Sequence, residues 1–216
     1  MGISVIGGAD GPTSVFLAGK FGNIFFIPAC FVLVIFYGIY FAKQLQQKRQ
    51  GIRTNQLGSG KDKSVRIGEM TLLAATVLII PVELVSMVWN WNFMPSAIRG
   101  VGAVAGFLGD GIFFTAVWTM KDSWRAGIPD TDRTEFVSCG IYQYSRNPAF
   151  LGFDMIYVGV LLMYFNWVLL LFTVWAVIMF HLQILQEEKY LAIVFGDQYL
   201  EYKKRTCRYW GRRDRV

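Results

Sequence analysis

An all-α, polytopic integral membrane fold is what this sequence predicts, and three observations carry that expectation. Hydrophobic residues make up 54% of the 216-residue chain, and mean hydropathy is +0.40. Several apolar runs approach the roughly 20 residues that a helix needs to cross a bilayer. Between those runs, Lys and Arg concentrate in alternate connections, as the positive-inside pattern requires. Together these predict one helical unit with about five transmembrane helices, a C-terminal helical hairpin and an interfacial helix.

The elements follow in order. Residues 1–22 form an irregular Gly-rich segment without the basic start and apolar core of a cleavable signal. Residues 23–120 hold three spans. The first is Asn23 to Ala42, with Pro28 early in it, where a missing N–H costs little. Lys43 to Arg66 carries seven basic residues and one acid. It reads as a polar loop, helical at its start. Gly68 to Trp89 is the second span and contains Pro81 and Glu83. The neutral loop 90–96 follows, flanked by Trp89 and Trp91, residues suited to headgroup depth. Ala97 to Met120 is the third span; its glycines predict close helix packing. Glu83 and Asp110 are carboxyls within spans. They read first as interhelical hydrogen bonds or protonated acids.

Residues 121–216 combine a second basic loop, an apolar hairpin and a charged helix. Phe150 to Phe165 and Trp167 to Leu185 are the two spans of the hairpin, joined at Asn166. Gln186 to Arg205 has apolar residues at helical spacing, which predicts an interfacial helix. The tail from Arg205 to Val216 is basic. Basic loops at 43–66, 121–146 and the C-terminus put the N-terminus outside and the C-terminus in the cytoplasm, in a plasma (inner) membrane protein. The net charge of +6 lies at membrane edges, favouring membrane lipids as partners over nucleic acid. One His and three scattered cysteines offer no metal-ligand spacing and no disulfide framework.

Chemistry concentrates between Gly140 and Arg208. The hairpin would bring Arg146-Asn147-Pro148, before one span, to the same membrane face as Glu187-Glu188, after the next. Adjacent helical positions point about 100° apart, so Glu187 and Glu188 are not expected to face one ligand. Pro148 suits the first turn of a helix. His181 reads as a hydrogen-bonded interface residue.

Gly140-Ile141-Tyr142, Arg146-Asn147-Pro148-Ala149-Phe150, Glu187-Glu188 and Phe195-Gly196 with Tyr199 and Tyr202 occur here in a recognisable order. This series resembles the isoprenylcysteine carboxyl methyltransferase family and its prokaryotic members, over roughly the last 90 residues. The resemblance implies a membrane methyltransferase using S-adenosylmethionine, with a lipophilic small-molecule or lipid substrate. It implies that Thr134, Glu135, Phe136, Val137, Tyr142, Asn147, Pro148, Ala149 and Phe150 line the cofactor. Glu187, with Glu188 second, would accept from the ribose. The family pattern has His at position 147 and Tyr at 150, so those side-chain hydrogen bonds differ here. It also has an Arg four residues before the cofactor glutamate, thought to hold a substrate carboxylate. Here that position is Gln183, leaving Arg146 as the alternative cation. Gln183 and Arg146 are therefore the expected catalytic pair.

Two other readings remain. A sterol-reductase-like NADPH enzyme shares the Arg-Asn-Pro start, but Gln186-Glu187-Glu188 departs from its usual segment. A non-enzymatic membrane protein would leave Asp10, Glu83 and Asp110 as an ion path, although these acids are not spaced as one helical face. The piece GGADGPTS in the leader resembles a motif of sodium-pumping decarboxylase β subunits. Read simply, its Gly and Pro are turn formers.

Overall fold

The computed structural model describes residues 23–58, 62–128 and 134–213. The GGADGPTS segment lies outside them. Five helices account for most of these residues: α1 Phe26–Arg49, α2 Lys63–Val88, α3 Ser96–Met120, α4 Pro148–Met163 and α5 Trp167–Arg205. All but α4 are long and apolar enough to cross a membrane. At 16 residues α4 rises only about 24 Å. Short 3₁₀ turns occupy Lys121–Ser123 and Gly140–Gln143.

The first helix outruns its expected span. Its polar end is amphipathic, and Lys43 and Gln47 are buried. Gln47 donates to the Trp124 carbonyl at 3.0 Å and accepts from the Thr54 hydroxyl at 2.6 Å. The two basic connections therefore meet rather than float. A short bridge pairs Asn55 with Ala126, and Gln56 N–H donates to the Ala126 carbonyl.

The helices α3 and α4 pack closely through glycine. A methyl group on Gly102 would sit 2.7 Å from the Gly159 carbonyl, and one on Gly109 would sit 2.8 Å from the Gly152 carbonyl. These antiparallel pairings bring backbone against backbone. The α4–α5 turn follows the expected hairpin: the Asn166 side chain accepts from Leu169 N–H and donates to Ser86 Oγ.

Helix α5 continues past the hydrophobic stretch to Phe195. At Gly196 the backbone takes φ 50 and ψ −128, a conformation that suits glycine. The final turns then bury Tyr199. The basic tail is a structural strap. Arg146 N–H donates to the Cys207 carbonyl, and Gly211 N–H to the Tyr144 carbonyl. Glu83 and Asp110 do not make the interhelical hydrogen bonds that were one of their two expected roles. Both are buried, and among the described residues none of their carboxyl oxygens has a hydrogen-bond partner.

Candidate active site

The site begins where α4 begins. Asn147 stands at the N-cap outside helical geometry, as a residue before proline must to avoid the proline ring, and Pro148 takes the first helical position. Asn147 N–H donates to Ser145 Oγ, and its side chain donates to the Arg208 carbonyl at 3.2 Å. The α4 terminus is thereby tied to the tail strap.

Beneath this junction lies a buried ion cluster. Glu188 Oε1 is 2.7 Å from Arg146 Nη2 and 3.0 Å from Arg208 Nε. Glu188 Oε2 accepts from Arg208 Nη2 at 3.0 Å. Arg146 also donates through Nη1 to the carbonyls of Thr206 and Lys203. Burial alone would raise the Glu188 carboxyl. Hydrogen bonds and charge from Arg208 and Arg146 outweigh it and hold the group down at about 2.

This cluster revises two expectations. Glu188 is a structural anion shielded from the pocket, and Arg146 is engaged by it and by two carbonyls. A guanidinium so committed is poorly placed to bind a substrate carboxylate.

Above the cluster opens a pocket. Thr134, Glu135, Phe136, Val137, Tyr142, Arg146, Asn147, Ala149, Phe150 and Glu187 line it. Of the positions expected at the cofactor, Pro148 and Glu188 are off its wall. Phe136 packs against Phe195 and Tyr202, with ring centroids 5.2 and 5.4 Å apart. The Tyr202 hydroxyl donates to the Tyr142 carbonyl at 2.6 Å, so the recurved end of α5 holds the 3₁₀ turn in place. His181 lies elsewhere, its Nδ1 2.6 Å from the Tyr209 hydroxyl.

Sequence reasoning missed part of the wall. Trp124, Arg125, Tyr190 and Leu191 also line it. Arg125 anchors itself by donating to the carbonyls of Asp122 and Trp124. A basic residue in a basic loop gives no sign of this role. The four-residue spacing from Glu187 could have pointed to Leu191.

An apolar chamber of about 330 Å³ adjoins the pocket. Trp124, Arg125, Gly127, Ala149 and Phe150 belong to both walls. Gln183 lines the chamber and donates to Glu187 Oε1 at 3.1 Å across the boundary. Glu69, fully buried, accepts from Gly58 N–H at 2.6 Å and Ile128 N–H at 3.3 Å. It thereby fastens both basic connections over this boundary. Glu69→Ala should cost about 1–3 kcal/mol, the scale of orphaned buried donors. Hydrogen exchange should quicken at residues 54–58 and 124–128; unchanged exchange there would contradict the latch.

The fold and site define a helical membrane protein that sets a polar, aromatic pocket against an apolar chamber. Residues 98–198 match the phospholipid methyltransferase family. The chain is 30% identical over 122 residues to a protein-S-isoprenylcysteine O-methyltransferase of Dictyostelium discoideum, covering 53% of this chain and 52% of that protein. It is 38% identical over 73 residues to the protein of the same name from Saccharomyces cerevisiae, covering 32% and 30% of the two chains. These matches thus span about half of the first relative and less than a third of the second. On this evidence the chain is similar to the phospholipid and isoprenylcysteine methyltransferases of membranes over about half of its length.

Proposed function

We propose that the protein is an S-adenosylmethionine-dependent methyltransferase acting on a lipophilic acceptor at the cytoplasmic face of the plasma membrane. The observation that carries this reading is the convergence of Phe136, Tyr142, Phe150 and Glu187 on one pocket, next to an apolar chamber. The donor set fits the cofactor. Glu187 would accept from the ribose hydroxyls, the aromatic wall would cover the adenine, and Arg125 would face the methionine carboxylate. When bound, the cofactor supplies a methyl group activated on a sulfonium. The chain's part is to orient and desolvate; alignment alone can lower such a barrier by several kcal/mol.

The test is thermal stabilisation of purified protein by S-adenosylmethionine. Stabilisation by NADPH instead would favour the reductase reading, and by neither a non-enzymatic one. Glu187→Gln keeps shape but removes the accepting charge. It should weaken the cofactor by about 1.5–3 kcal/mol, the range for a charged hydrogen bond. Unchanged affinity would remove Glu187 from the site.

The acceptor follows from Gln183 and Arg146. The first is uncharged, and the second is occupied by Glu188. A desolvated carboxylate needs a paired cation, so the proposed acceptor is a neutral amine, thiol or hydroxyl. Labelled methyl transfer to prenylcysteine analogues and to neutral lipophilic nucleophiles decides this. Robust methylation of the carboxylate by wild type would overturn it, as would loss of that activity in Gln183→Arg.

The orientation is checked by reporters. A fusion after Val216 should read cytoplasmic and an insertion at Asn92 external. A cytoplasmic signal at Asn92 would overturn the topology.

A further inference from the structure

The chamber is not uniformly apolar, and its register along the helices shows where it changes. Its lining runs from Leu72 to Ile80 on α2 and from Ala149 to Tyr157 on α4. Gln183 and Ala149 stand at the end shared with the pocket. Tyr37, Ile80 and Tyr157 stand at the other end, deep among the spans. Eight residues of helix separate Leu72 from Ile80, so the chamber is about 12 Å deep.

This deep end is polar. The Tyr37 hydroxyl is buried within reach of the Tyr157 phenol. Glu83 follows Ile80 by three residues and so shares its helical face. It lies close enough to Tyr37 and Tyr157 to couple electrostatically to both. Glu83 is 0% exposed, and neither carboxyl oxygen has a partner among the described residues. A buried carboxyl left unpaired behind these two phenols is costly. A ligand that brings a donor to this group of three would remove much of that cost.

We propose that this floor binds a second polar group of the acceptor. Resting on the methyltransferase reading, it makes the substrate class a bipolar lipophile. One end carries the nucleophile near Gln183. About 12 Å away, the other carries a hydrogen-bond donor, a hydroxyl or an amine, held by the Tyr37 and Tyr157 phenols with Glu83 behind them. Packing against Phe36, Phe153 and Phe180 would select the apolar middle.

Binding of a medium-chain α,ω-diol, the matching ω-amino alcohol and the mono-alcohol of equal length tests this, by thermal-shift titration of the purified protein. Wild type should bind the diol or the amino alcohol about tenfold more tightly than the mono-alcohol, the scale of one well-made buried hydrogen bond. Tyr37→Phe and Glu83→Gln should each erase most of that preference. Thr76→Val is the control, because the Thr76 hydroxyl is spent on the Leu72 and Leu73 carbonyls; it should keep the preference. If Glu83→Gln does not fold, Tyr37→Phe carries the test, since it removes one oxygen and no packing. Equal affinities in wild type overturn the floor, as does a preference that survives both variants. S-adenosylmethionine is titrated alongside. Stabilisation by it without a diol preference overturns the floor alone. A diol preference without it overturns the methyltransferase reading and leaves the floor as a ligand site.

Discussion

Glu188→Gln should destabilise the protein by about 3–5 kcal/mol, the usual cost of breaking a buried ion pair from one side. The carboxylate is 4% exposed and Arg146 is 6% exposed, so water cannot replace the lost partner. Arg208 loses a two-pronged partner at the same time. The loss should be conformational first and functional second: the strap from Thr206 to Arg213 should detach from Tyr144–Arg146. The pH dependence has a definite sign. Glu188 titrates at about 2 in the fold, below its ordinary value of 4.5. Its stabilisation is therefore complete above pH 4.5 and lost as pH falls toward 2. Wild-type unfolding free energy should drop through that window, and Glu188→Gln should lack this part of the slope. Identical acid profiles would show that the cluster contributes nothing.

The same carboxylate marks the limit of what the sequence reveals. Hydropathy and basic loops locate the spans because lipid forbids most alternatives. Pro148 and Asn166 are legible as helix starts, since their chemistry is local. The 100° separation of Glu187 and Glu188 foretells that they part company. Which of the two meets the pocket is a different matter. It depends on the tail returning at Gly196 and delivering Arg208 from twenty positions away. That contact leaves no local pattern. Arg125 and Glu69 are hidden for the same reason, because their roles arise only when the two basic connections meet. Thr134 to Val137 became candidates through family resemblance alone. A polar stretch after a basic loop carries no other sign of a pocket wall.

The second large effect is expected at the α3–α4 seam. A methyl group at Gly159 would lie 2.7 Å from the Gly102 carbonyl and 2.7 Å from Gly106 N, backbone atoms that cannot rotate away. Gly159→Ala should therefore cost at least about 1–3 kcal/mol, the range for overpacking, and Gly159→Leu should prevent folding. Gly100 and Gly111 lie on α3 itself, with nothing within 4 Å of an added methyl. Alanine there should be neutral, or stabilising by up to about 1 kcal/mol through helix propensity. The contrast separates seam packing from a general effect of removing glycine. The seam also reaches the site, because α3 leads into Trp124 and Arg125 while α4 starts beside Asn147, Ala149 and Phe150, all on the pocket wall. On the proposed function, Gly159→Ala should weaken binding of S-adenosylmethionine under conditions where Gly111→Ala does not. If Gly159→Ala melts with Gly111→Ala and binds as well, the glycines are not what brings the two helices together.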